Sequence, residues 1–136
     1  MKKYLFFMLA AVAMVLTACS QPAKTLTGKW NVETVKGNPA VVEMPAFVAF
    51  EEGLAQVHGC SGCNNFFGPC TVNEEQLKFG ELGATMRFCL NAESERDIMQ
   101  SLFETASYKI SKNTLFFYNE NGDELMTLTW ADEQEE

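Results

Sequence analysis

One stretch constrains the fold more than any other: Gly59-Cys60-Ser61-Gly62-Cys63-Asn64-Asn65-Phe66-Phe67-Gly68-Pro69-Cys70. Cysteines, glycines and an Asn pair at this density favour tight turns, because Gly accepts φ angles that other residues avoid and Asn closes turns through its own amide. The cysteines add covalent restraint, and Phe66-Phe67 supply apolar surface to plug the stretch onto a core. A covalently constrained loop is expected. A second short stretch, Thr85-Met86-Arg87-Phe88-Cys89, supplies the remaining cysteine of the folded part.

The compartment is legible at the start of the chain. Met1-Lys2-Lys3 is basic, and residues 4–16 are almost wholly apolar. That run is too short for a membrane-spanning helix, which needs roughly 20 apolar residues, and reads as a secretory signal. It ends in Leu16-Thr17-Ala18-Cys19, which resembles the bacterial lipobox. The resemblance implies removal of residues 1–18 and acylation of Cys19, giving a lipid anchor of three chains at ~0.8 kcal/mol per buried methylene. Ser20 stands where an Asp would retain such a protein in the inner membrane, so an outer-membrane, lipid-anchored envelope protein is expected. Residues 19–25 then form a lipidated tether, residues 26–130 one domain and residues 131–136 an acidic tail. About 118 residues after the leader are enough for one compact core and too few for two.

The formal charge of the chain is −8, and about −10 once Lys2 and Lys3 are removed. With no Lys/Arg cluster to reverse it locally, such a domain repels phosphate, so no nucleic-acid partner is expected. Anionic lipid repels it too, so membrane attachment falls to the acyl chains.

Along the domain, short alternating runs predict strands. Trp30, Val32 and Thr34 share one side of the first. Phe47 to Phe50 and residues 54–59 form a hairpin about Glu51-Glu52-Gly53, and residues 70–73 and 76–79 turn at Glu74-Glu75. The later strands cover residues 108–110, 114–118 and 125–130, and Asn121-Gly122 marks the last hairpin. One helix is predicted over residues 91–106, capped by Asn91, with Ile98, Met99, Leu102, Phe103 and Ala106 as its core-facing stripe. The fold class is α+β: an antiparallel curved sheet or partial barrel packed on one helix.

Cys60, Cys63, Cys70 and Cys89 are an even set in an oxidising compartment, so two disulfides are expected. Of the three pairings, Cys63–Cys89 with Cys60–Cys70 is preferred: the first ties the stretch to the segment before the helix, and the second staples its base. A loop of some 25 residues closed this way gains ~3 kcal/mol in the chain-entropy model. The alternative is a thiol protein using Cys60-x-x-Cys63, either as a redox dithiol or, with Cys70 and Cys89, as a zinc site. Against redox use, the residues after Cys63 do not read as a helix N-terminus. His58 is the only histidine and reads as structural. No nucleophile elbow or phosphate loop is present, so no catalytic residue, metal or cofactor is expected.

Three patterns in order resemble the META domain family. They are Leu26-Thr27-Gly28-Lys29-Trp30, the Gly-Cys-Asn-x-Phe-x-Gly core at residues 62–68, and Thr85-Met86-Arg87-Phe88-Cys89, a shifted form of a Thr-x-Met-x-Cys motif. The resemblance covers residues 26–130. It implies a strand-rich exported domain on one helix, often lipid-anchored, with a role in stress response, secretion or envelope upkeep and no established catalysis. Gly62, Asn64, Phe66 and Gly68 are then the loop-shaping residues. The expected function is non-catalytic: a monomeric domain that binds or chaperones another envelope component, moored to the membrane through Cys19.

Overall fold

The computed structural model describes residues 25–131. The expected leader, Cys19, most of the tether and residues 132–136 lie outside the described residues. The elements are β1 (Gly28–Val35), β2 (Asn38–Pro39), β3 (Phe47–Phe50), β4 (Gln56–Cys60), β5 (Asn65–Asn73), β6 (Gln76–Phe79), β7 (Gly83–Ala84), α1 (Glu95–Glu104), β8 (Ser107–Ser111), β9 (Thr114–Tyr118) and β10 (Glu124–Trp130).

All pairings are antiparallel, in the order β10-β9-β8-β6-β5-β4-β3-β1-β2, and β10 also pairs with β1. The pairings therefore return on themselves. The short β7 lies against β5, beyond the end of β6. The narrowest join is between β6 and β8, a single residue pair, Gln76 with Ser107. It is flanked by Leu77 N–H donating to the Ala106 carbonyl at 3.1 Å and Tyr108 N–H donating to Glu75 at 2.9 Å.

Strand alternation sends one face of each strand inward. Phe66, Gly68 and Cys70 of β5, Leu77 and Phe79 of β6, and Leu115 and Phe117 of β9 are buried, while Asn65, Phe67 and Pro69 face out. The rings of Phe50, Phe79 and Phe117 meet in the interior at 5.7 to 6.5 Å between centroids. Trp30 is fully buried and meets Trp130 edge-on at 5.0 Å. The shared side expected for Trp30, Val32 and Thr34 breaks at a register shift between Val32 and Thr34 opposite β10, so Val35 is the next buried residue of the strand. A bulge of this kind inserts a residue and reverses the alternation beyond it.

The helix is shorter than predicted and starts at Ser94 rather than Asn91. Ser94 does not cap it through its side chain. Its hydroxyl instead accepts Val41 N–H at 2.7 Å, and its own N–H donates to the Val41 carbonyl at 3.1 Å. Helix α1 contacts β1 and β10 on one side and β6 on the other. In the order of pairings β6 lies across from β1, so the helix bridges the sheet instead of lying flat along it. Only a narrow face then turns inward: Ile98, Ser101 and Leu102 are buried and Met99 is half-buried. Phe103, expected in the core stripe, is 82% exposed, because it lies about 100° round the helix from Leu102. Ala106 lies beyond the helix end.

Candidate functional site

The cysteine-rich stretch is a β-hairpin more than a loop. The register of β4 with β5, from Gln56 opposite Pro69 to Cys60 opposite Asn65, leaves only residues 61–64 as its tip. Period-two alternation also separates the Phe pair: Phe66 is 1% exposed and plugs the core as expected, but Phe67 is 63% exposed on the other face. The tip turns at Gly62, whose φ of +93° lies in the region that side chains disfavour. The Gly62 carbonyl accepts the N–H groups of Glu43 and Met44, each at 3.0 Å, and a Cβ there would run into Val42. At Gly68 the need is room: a Cβ would lie 2.7 Å from the Glu81 carbonyl oxygen.

Asn64 is the polar centre of the tip. Its side chain is buried, and both of its functional atoms are in use. Nδ2 donates to Glu95 Oε1 at 2.6 Å and to the Arg87 carbonyl at 3.0 Å. Oδ1 accepts Arg87 N–H at 2.6 Å and the Thr85 hydroxyl at 3.0 Å. The Ser61 hydroxyl donates to the same Glu95 oxygen at 2.9 Å and accepts Asn64 N–H at 3.3 Å. Arg87 Nη2 returns to the Cys63 carbonyl at 2.9 Å. One amide thus joins three distant pieces: the hairpin tip, the first turn of α1 and residues 85–87. Glu95 suits that first turn, where the helix dipole favours a carboxylate.

The Cys63–Cys89 disulfide ties the hairpin tip to the same outer segment two residues beyond Arg87, with Cα atoms 5.9 Å apart. The second expected bridge is not formed: Cys60 and Cys70 are separate, buried thiols. Hairpin register is the reason. Cys60 stands opposite Asn65, which puts Cys70 five residues further along β5, about 17 Å at the usual strand rise, where a disulfide needs Cα atoms within about 7 Å. Cys70 Sγ donates to the Leu54 carbonyl at 3.4 Å, and burial pushes its pKa above the ordinary thiol value. With Cys63 bonded to Cys89, neither the Cys60/Cys63 dithiol nor a four-thiolate zinc set is assembled. Among the described residues no cluster of three or more His, Cys, Asp or Glu could hold a metal. His58 lies half-exposed on β4, 3.6 Å from Glu51.

These bonds leave one feature facing solvent. Along residues 85–90 alternate positions are bonded to the hairpin tip. Thr85, Arg87 and Cys89 make these bonds, while Met86, Phe88 and Leu90 are 99%, 85% and 81% exposed. Beside the preceding residues runs a groove of about 630 Å³ lined by Phe79, Gly80, Glu81, Leu82, Met99 and Phe103. Sequence reasoning missed this surface, although the alternation Met-x-Phe-x-Leu in residues 86–90 was its signal.

The Leu26-x-Gly28-x-Trp30 pattern is not part of the site. Trp30 Nε1 donates to the Leu26 carbonyl at 2.9 Å, and Gly28, with φ of +120°, leaves the space that the Trp130 ring occupies. The family's three patterns are thus a hairpin tip, the segment bound to it, and a tryptophan seat on β1. Over residues 23–132 the chain matches the META domain. It belongs to the META domain family. No curated protein matches this META chain. Among solved structures it resembles a protein determined by NMR, at 23% identity and a TM-score of 0.64, over 81% of this chain and 94% of the other. An NMR structure of a protein from Burkholderia xenovorans is similar at 18% identity and TM-score 0.62, covering 78% and 83% of the two chains. A crystal structure of a DUF4847 family protein from Bacteroides vulgatus shares the fold at 11% identity and TM-score 0.53, over 80% and 96%. At these identities the likeness is one of fold.

Proposed function

We propose that this META protein is a non-catalytic, lipid-anchored component of the bacterial envelope, held at the outer membrane through acylated Cys19, whose single domain binds or chaperones another envelope protein. The observation that carries this reading is the row of Met86, Phe88 and Leu90, exposed to water on a rigid frame. Large apolar side chains clustered in this way mark interaction surfaces far more than they serve stability. The frame beneath them is saturated. The Asn64 amide, the Ser61 hydroxyl and Cys63 and Cys89 are all engaged within the domain, which suits a fixed mount better than a reacting centre.

The returning strand pairings, with α1 across them, support reading the sheet as a small barrel filled by its own side chains. The tether suits the reading too. Gly28 lies level with Phe50, Val57 and Gly68, three residues from the level of Asn31, Phe47, Cys60 and Asn65. The chain therefore enters β1 about 10 Å from the hairpin tip, and an anchor ahead of that point would leave the tip free to meet a partner. A tether this short also raises the effective concentration for membrane-held partners.

The test is a photo-crosslinker placed at Phe88 in the full-length protein in cells. The reading expects one envelope protein to be trapped, the trapping to be lost with Met86→Asp, and the protein to leave the membrane fraction with Cys19→Ala. An unacylated Cys19 in the mature chain, or crosslinking indifferent to Met86→Asp, would contradict it.

A further inference from the structure

We infer that the outer edge of residues 82–88 is a strand-addition site, which takes an extended, alternately apolar peptide segment of a partner protein with a basic residue placed to meet Glu81. This deepens the binding role proposed above and rests on it.

The argument starts from the backbone. In an extended chain successive residues turn their N–H and C=O groups to opposite edges. The edge facing the hairpin is taken. Thr85 N–H donates to the Asn65 carbonyl at 3.0 Å, Arg87 N–H donates to Asn64 Oδ1, and the Arg87 carbonyl accepts Asn64 Nδ2. These are the odd-numbered positions, and they continue the β7 pairing with β5. The N–H and C=O groups of Met86 and Phe88 have no hydrogen-bond partner among the described residues. Two donors and two acceptors at a spacing of two residues form an open ladder edge, which only another extended backbone satisfies in register.

The side chains say what that backbone carries. Met86 and Phe88 project next to the open edge, and Phe103 is exposed beside the groove that flanks residues 80–82. A strand laid there would bury alternate apolar residues against them, the usual division in strand addition, where main-chain bonds give affinity and alternate side chains give specificity. Charge completes the description. Glu81 lines the groove and takes part in no ion pair among the described residues, in a chain of net charge −8. Natural edges are blunted by Lys, Pro or covering segments; this one is instead held out rigidly by the Cys63–Cys89 disulfide and Asn64.

The experiment uses the full-length protein and a synthetic peptide of alternating Val and Ser with Lys at both ends. Its twin is N-methylated at every second residue on the pairing edge, which leaves composition almost unchanged and removes the ladder donors. We expect the peptide to bind, to slow amide exchange at Met86 and Phe88 at least about tenfold, and to lose at least about tenfold in affinity on N-methylation or with the exposed-residue pair Met86→Ser and Phe88→Ser. Glu81→Gln should weaken the Lys-ended peptide about threefold, and a Ser-ended one not at all. Equal binding of the N-methylated twin, or exchange at Met86 and Phe88 that the peptide leaves unchanged, would overturn the proposal. So would protection of those amides that rises with protein concentration in the absence of peptide, since a second copy would then own the edge. The two readings can fail separately. An unacylated Cys19 removes the anchored role and leaves peptide binding intact, while cellular crosslinking at Phe88 without peptide binding removes only the strand geometry.

Discussion

Trp30 and Asn64 lie in two of the short sequence patterns of the same small domain, yet they are held by opposite physics. Around Trp30 the structure is apolar and inward: a fully buried indole, one hydrogen bond to Leu26, and the edge of Trp130. Around Asn64 it is polar, cross-linked and buried beneath an exposed segment, with an amide bonded to Glu95, Arg87 and Thr85 and a disulfide alongside. The first arrangement excludes water and makes the fold stable. The second spends its bonds on holding residues 85–90 in one shape while their apolar side chains stay in solvent. A surface held at that cost is explained by what it presents.

The comparison can be broken in order of expected effect. Trp30→Ala should cost about 3–5 kcal/mol, because a large side chain leaves a cavity in a packed interior; urea unfolding measures it, and a loss near 1 kcal/mol would mean that the core does not depend on this residue. Replacing both Cys63 and Cys89 by Ser should cost about 3 kcal/mol, the loop-closure term for their separation of 26 residues. Asn64→Ala should cost about 2 kcal/mol by leaving Arg87 N–H without its acceptor and Glu95 with the Ser61 hydroxyl alone. Asn64→Asp should be worse than Asn64→Ala near neutral pH, since a carboxylate cannot donate to Glu95 and repels it, and that excess should shrink as pH falls through the carboxylate range.

Two smaller effects sharpen the contrast. Burial raises the Cys70 pKa, so the unfolded chain releases this proton before the folded one. Stability should therefore be flat below the ordinary thiol range and fall gently as pH rises through it, and Cys70→Ala should flatten that slope in unfolding midpoints taken at rising pH. The smallest effect belongs to the exposed row: Met86→Ser and Phe88→Ser should each change stability by less than about 0.5 kcal/mol, although they alter the surface most.

Much of the fold was legible because local signals agreed with the final pairing. The hairpin at residues 119–123 forms as its Asn121-Gly122 predicts: Gly122 has φ of +81°, and the Asn119 side chain accepts the N–H groups of Asn121 and Asp123. The Cys63–Cys89 pairing was legible too, whereas of the four residues expected to shape a loop only Gly62 and Asn64 fall in the hairpin tip, and Phe66 and Gly68 lie in β5. The Cys60–Cys70 bridge was misjudged because closeness in sequence is not closeness across a hairpin; which residues face each other depends on where the tip falls, and that is set by Gly62 and its contact with Val42. Phe103 was misjudged because helical periodicity gives the direction of an apolar stripe but not its width, which is narrow where α1 bridges the sheet. The partners of Asn64 were beyond reach for a different reason: Glu95 lies 31 residues away and Arg87 23, and no local propensity encodes such contacts.

The central claim is that the disulfide and Asn64 fix residues 85–88 as an extended segment with one edge bonded and the other open. Residue-resolved amide exchange by NMR on the oxidised protein without ligand reads this directly. The account predicts alternation, with Thr85 and Arg87 protected and Met86 and Phe88 exchanging at close to unprotected rates. Uniform rates across the four amides, whether all fast or all slow, would contradict it.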